Sequence, residues 1–252
     1  LFNIDSKSDA DSKVKKDAIV KVFMSVFNDW QGFCGAIPWL AEMERQLVKR
    51  GTFQEFQTAF AEVAGDTWFN FRANAYFDRD YIIAALVKTA GMSQESAIQW
   101  FDNAESNYSI NIESFAKLVQ DYCNQTQHRV VFMVDEMGQY IGESSDLMLN
   151  LQTLTEDLGT YLHGKAWVVV TSQEDIDGIT KNRVKGKDFS KIIGRFATKI
   201  SLSSSNTDEV IKRRVLEKNE VAQDTLKLIH AEKGASLRNL ICLAGTAEMK
   251  SY

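Results

Sequence analysis

Proline is almost absent: Pro38 is the only one in 252 residues. The residue that most often breaks helices and marks linkers is therefore missing from nearly the whole chain, which suits a helix-rich fold with little disordered linker. Cysteine is scarce as well. Cys34, Cys123 and Cys242 are odd in number and far apart. No pair has metal-ligand spacing, and the three read as reduced thiols of a cytoplasmic protein. His128, His163 and His230 are equally scattered, so they form no metal cluster in the sequence. No apolar segment is long enough to cross a membrane, and no signal peptide is present. Positive charge is not in surplus either. A net charge of -5 argues against a generic nucleic-acid surface and leaves only a local basic patch as a route to DNA. What remains is ordinary for a globular protein, with 44% hydrophobic and 25% charged residues, in a chain long enough for one elaborated domain or two smaller ones. The first residue is Leu1 rather than Met, and the chain reads as a fragment that begins partway through a domain.

The most informative stretch is His128-Arg129-Val130-Val131-Phe132-Met133-Val134-Asp135-Glu136. Its continuous apolar run predicts a strand buried on both faces, as in a parallel sheet covered by helices. A strand of this kind ending in Asp-Glu has the form of a Walker B motif. In that reading Asp135 holds the magnesium of a bound nucleotide, and Glu136 orients the water that attacks the γ-phosphate. In the plainer reading the two acids only solvate the end of a core strand.

Before this strand the patterning is helical. Leu1 to Asp5 reads as a short strand, and Lys13 to Gln127 as helices only. Ile19, Val22, Phe23, Val26 and Phe27 share one face, and Trp39, Leu40, Met43 and Leu47 share another. Thr52 with Glu55, Asp80, Ser93 and Asn111 are candidate helix starts, and Gly91 a stop. Trp30, Trp39, Trp68 and Trp100 read as core anchors of this helical block. After Gln127 strands and helices alternate. Leu147, Leu151, Leu154, Leu158 and Tyr161 trace a helix closed by Gly164, and Ala166 to Thr171 is a second apolar strand. Lys199 to Leu202 is a shorter one. Thr207 opens further helix, with a turn expected at Gly234.

These parts predict an α/β fold: a partial P-loop NTPase (AAA+-like) parallel sheet core, a large all-helical insertion and a partial C-terminal helical lid. The boundaries are residues 1–12 and 128–205 for the core, 13–127 for the insertion and 206–252 for the lid. Ligands of open α/β sheets sit beyond the carboxyl ends of the strands, where Asp135, Glu136, Ser172 and Gln173 fall. Thr171, Ser172 and Gln173 occupy the sensor 1 place of such ATPases, although Ser172 could equally cap a short helix near Asp175. Arg195, in Gly194-Arg195-Phe196, stands where an arginine finger is often found, with Arg183 a weaker competitor; the plain alternative is a surface salt bridge. Arg238, in Gly234-Ala235-Ser236-Leu237-Arg238, resembles a sensor 2 residue that contacts phosphate from the lid. One part is missing: no G-x-x-x-x-G-K-S/T occurs in the chain, so the backbone phosphate cradle and its lysine are not there.

Three segments carry a family resemblance: Val130 to Gly142 with its Gly138-Gln139-Tyr140-Ile141-Gly142 continuation, Leu147 to Gly159, and Lys165 to Ile176. They resemble the large P-loop ATPase of bacterial BREX phage-defence systems, the BrxC/PglY family, and Phe2 to Lys7 resembles the segment after its P-loop region. The resemblance implies a truncated ATPase region, with ATP and Mg2+ as cofactors, other BREX proteins as partners and a homo-oligomeric intact protein. It gives Asp135 the magnesium role and Glu136 the catalytic role. Two other readings stand beside it: a nucleotide-degenerate scaffold whose helical block docks partner proteins, and a DNA-remodelling ATPase of the origin-recognition type. The second rests on the placements of Arg195 and Arg238.

Overall fold

The computed structural model describes residues 1–7, 17–142, 144–172, 196, 198, 200 and 207–243. The described chain is mostly helical, with a small three-stranded parallel sheet of order β1-β2-β3. Here β1 is Phe2–Asn3, β2 Val130–Asp135 and β3 Ala166–Val170. Phe2 pairs with Val134 and Asn3 with Asp135, while Val130 to Val134 pair in step with Ala166 to Val170. The expected strand at Lys199–Leu202 and the short helix near Asp175 lie almost wholly outside the described residues.

Two compact units divide the chain, Leu1–Ala197 and Thr198–Tyr252. In the first, β1 runs into α1 (Ile4–Lys7), and α2 (Ala18–Trp30) follows. Next come α3 (Pro38–Arg50), α4 (Phe53–Ala64), α5 (Trp68–Phe71), α6 (Arg79–Thr89), α7 (Gln94–Asn107) and α8 (Ile112–Thr126). The single proline opens α3, where its missing N–H costs nothing. Asn111 and Ser114 close a reciprocal capping box on α8, and Ser93 caps α7 through the Ser96 N–H. α6 starts two residues earlier than expected, with Asp78 rather than Asp80 in the capping place. After β2 come α9 (Met137–Ile141) and α10 (Ser145–Leu162). α10 is capped by Ser144 and ended by His163 and Gly164, both at positive φ.

Hydrophobic contacts split the helices of this unit. α2, α8 and α10 pack on the sheet, burying Phe23, Phe27, Phe115, Leu151 and Leu154 against Val130, Phe132 and Val134. Aromatic rings meet edge-on here, Phe2 on Phe23 at 5.4 Å and Phe27 on Phe115 at 6.0 Å between centroids. α3 to α7 form a second cluster around Trp68, Phe56, Phe60 and Leu40. Trp39 and Trp68 are buried anchors as expected, but Trp30 is 61% exposed and lies against Phe27 and Tyr122 at the surface.

β2 is buried on one face only. Val130, Phe132 and Val134 are covered, whereas Val131 and Met133 are 49% and 45% exposed, beside Trp167 and Val169 of β3 at 47% and 45%. The expectation of two covered faces fails for a topological reason. The chain steps from β1 to β2 to β3 in one direction, and right-handed crossovers taken in one direction leave their helices on one side.

The second unit contributes α11 (Thr207–Arg214) and α12 (Glu220–Leu243). α12 runs unbroken through Gly234, so the turn expected there does not form. One glycine costs about 1 kcal/mol, and a long helix absorbs that. No described helix is long and apolar enough to cross a membrane.

Candidate functional site

The site begins with strand register. Because Asn3 lies opposite Asp135, and Val134 opposite Val170, the chain leaves all three strands at the same edge of the sheet. The Thr171 N–H still donates to the Val134 carbonyl at 3.0 Å, carrying the pairing one residue beyond β3. Asp135, Glu136, Thr171, Ser172 and Asn3 are therefore neighbours although β1 and β2 are more than a hundred residues apart in sequence.

Glu136 turns the chain from β2 into α9 with φ 60° and ψ 25°, the left-handed region that residues with a Cβ seldom occupy. Such a conformation persists where surrounding contacts specify it. Two do. The Glu136 N–H donates to Thr171 Oγ1 at 3.1 Å, and Asn3 Nδ2 donates to Glu136 Oε2 at 2.5 Å. The Thr171 hydroxyl in turn donates to Asp135 Oδ1. One side chain thus binds the backbone of the second acid and the carboxylate of the first.

Asn3 is itself oriented by α1. Its Oδ1 accepts the N–H groups of Asp5 and Ser6 at 2.9 and 3.2 Å, so its amide nitrogen is left facing Glu136. Behind the turn, Met137, Tyr140 and Ile141 of α9 are buried in the sheet's core and anchor the loop. Ser172 packs so tightly on Gly138 that a Cβ there would overlap the Ser172 side chain. Gly138 is the residue type this contact demands.

The chemistry on offer is a pair of adjacent carboxylates, Asp135 exposed and Glu136 half-buried, held by two neutral hydrogen-bond donors. Magnesium commonly takes one or two protein carboxylates and keeps several waters, and the exposed Asp135 carboxylate fits such a donor role. A triphosphate additionally needs a cradle of backbone N–H groups and a lysine, and the sequence contains no phosphate loop to supply them.

Of the residues expected at the site, Asp135, Glu136 and Ser172 are brought together. Gln173 and Arg195 lie outside the described residues, as does Arg183. Arg238 is in α12 of the second unit, and its side chain is outside the described set. Sequence reading missed Asn3 and Gly138. A signal for Asn3 exists: an Asn at a strand end, followed by Ile4-Asp5-Ser6, is a common helix-capping arrangement. No protein-family model matches the chain, and no solved structure shows significant similarity to it.

Proposed function

We propose that this chain carries the Walker B and sensor portion of a P-loop NTPase core, within an ATPase of the BREX phage-defence type. In that reading ATP turnover switches the conformation or assembly of a larger complex. The observation that supports it best is the interlocked strand-end cluster: three parallel, adjacent strands with Asn3, Asp135–Glu136 and Thr171–Ser172 at one edge.

Each residue then has a defined task. Asp135, exposed and oriented by the Thr171 hydroxyl, would hold magnesium through its water shell. The bound ion would neutralise charge on the phosphates. Glu136 would accept a hydrogen bond from the attacking water and orient it, and Asn3 would hold that carboxylate in place. Ser172 would reach the same crevice from the next strand.

The bare face of the sheet supports the same reading. A strand added beside β3, crossing back to β1, would reverse the direction of travel. Its helix would then fall on the face where Val131, Met133, Trp167 and Val169 are exposed. A P-loop strand and its helix have that placement, and a polypeptide containing them would complete the phosphate cradle that this chain lacks.

Glu136→Gln in the intact protein tests the proposal. ATP binding should be retained while turnover falls by about a hundredfold or more. Hydrolysis at the wild-type rate would remove Glu136 from this role. The missing phosphate loop favours one alternative, a nucleotide-degenerate scaffold. An intact protein that binds no ATP in equilibrium dialysis would establish that alternative instead.

A further inference from the structure

Thr171 makes three hydrogen bonds at the end of β3, and together they fix where its hydroxyl proton goes. Its N–H donates to the Val134 carbonyl at 3.0 Å, which pins its backbone to β2. Branching at Cβ leaves such a side chain few χ1 choices. Its Oγ1 accepts the Glu136 N–H at 3.1 Å. A hydroxyl carries one proton, and with an N–H aimed at the oxygen that proton must leave in another direction. It goes to Asp135 Oδ1. The fold thus directs this bond, and the hydroxyl is no loose rotor.

The consequence falls on the carboxylates. One oxygen of Asp135 is engaged by a neutral donor, while Oδ2 accepts from none of the described residues. Glu136 is held in a similar way, its Oε2 accepting Asn3 Nδ2 at 2.5 Å. Neither donor carries charge, so both acids keep their attraction for a cation. What Asp135 loses is an open two-oxygen edge. Divalent cations differ in how much that matters. Mg2+ gives up its waters reluctantly and is served by a single oxygen that accepts from its hydration shell. Ca2+ gathers about six to eight oxygens in flexible geometry and often holds a carboxylate by both of them.

We propose that Thr171 selects the cation at the strand-end acids, for hydrated Mg2+ and against Ca2+. The proposal rests on the magnesium role given to Asp135 above. With Oδ1 bound to the Thr171 hydroxyl, Asp135 offers its other oxygen to a water of the Mg2+ shell. For Ca2+ to take both oxygens it must displace that hydroxyl from Oδ1, which leaves the hydroxyl proton without its acceptor. Thr171 is thus a positioning residue that acts through Asp135, not one that contacts phosphate.

Mn2+ bound to the intact protein with a non-hydrolysable ATP analogue reports on this choice by electron paramagnetic resonance. Mg2+ and Ca2+ are each titrated against it, and the ratio of their displacement constants is the readout. A merely structural role would weaken both cations alike and leave the ratio where it was. Thr171→Val keeps the shape and removes the hydroxyl. It should shift the ratio toward Ca2+ by about tenfold, and Thr171→Ser should hold the wild-type ratio. Wild type alone gives a second measurement, which stands even where the valine variant fails to fold. Infrared difference spectra of protein with isotope-labelled aspartate should show the same carboxylate band splitting with Ca2+ as with Mg2+. A splitting that narrows with Ca2+ in wild type, or an unchanged ratio in folded Thr171→Val, overturns the proposal. Asp135→Asn tells that failure from failure of the magnesium role itself. Weakened Mn2+ binding in this variant upholds the role, so an unchanged Thr171→Val ratio then counts against Thr171 alone. Mn2+ binding at wild-type strength removes the role and the proposal with it.

Discussion

Glu44 is the most heavily engaged buried charge among the described residues. It is fully buried in the α3–α7 cluster and accepts the Cys34 N–H at 2.6 Å, the Trp68 indole N–H at 2.7 Å and Arg72 Nη1 at 3.2 Å. Burial pushes its carboxyl above the usual carboxylate range, outweighing the bonds from Trp68, Cys34 and Arg72 that pull it down. The sign for stability follows. The folded state binds this proton more tightly than the unfolded chain does, so Glu44's contribution is complete below the ordinary glutamate range. It is then lost as pH rises through the elevated folded value. Glu113 has the opposite sign, because Lys117 and Tyr161 hold its carboxyl low, but it is exposed and its effect is screened by solvent. Urea unfolding across the mildly acidic range should therefore show wild type losing stability relative to Glu44→Gln as pH rises. The absolute stability of the variant is a separate matter, since its amide N–H₂ would face the Cys34 N–H. Parallel pH profiles for the two proteins would show that Glu44 does not titrate in this window.

Among the elements, α9 meets the end of β3 through one unusually close contact. Its Gly138 meets the side chain of Ser172 at the end of β3, and a Cβ on Gly138 would stand 2.7 Å from Ser172 Cβ. Rotating the serine hydroxyl cannot relieve that overlap. Helix propensity alone would favour alanine at 138 by about 1 kcal/mol. Gly138→Ala should nevertheless destabilise by about 1–3 kcal/mol through overpacking. Ser172→Gly in the same chain should recover most of the loss. The double-mutant cycle, read by urea unfolding, would be additive if α9 and β3 did not touch. Such contacts also show what a sequence can disclose. Caps at Ser93, Asn111 and Ser144, and the apolar stripes of α2 and α10, are legible because their rules span three or four residues. Asp135 and Glu136 are legible as a motif for the same reason. The Asn3–Glu136 bond joins residues 133 apart, and only strand register creates it. The failure at Gly234 is of another kind, since local propensity is outvoted by the length of α12.

At the scale of the whole molecule, the one-sided sheet has a physical consequence whatever the chain's function. Val131, Met133, Trp167 and Val169 form a contiguous, roughly half-exposed apolar patch, with the Arg129 guanidinium 5.8 Å from the Trp167 ring centre. Parallel sheets are ordinarily covered on both sides, and a bare apolar face beside the outer edge of β3 invites association. The isolated chain should therefore self-associate with rising concentration in sedimentation velocity, and Trp167 emission should shift to the blue as it does so. The variant Val131→Thr/Met133→Lys/Val169→Thr places polar groups on that face and leaves the buried residues of β2 untouched. It should stay monomeric, with unfolding stability within about 0.5 kcal/mol per site of wild type. In an intact ATPase of the proposed kind a helix would cover this face, and the same three changes would bury a lysine. Soluble yield and ATP turnover should then both collapse. If the triple variant left the intact protein fully active, the face would be open there as well. The strand beyond β3 required by the nucleotide-binding reading would then have no place to put its helix.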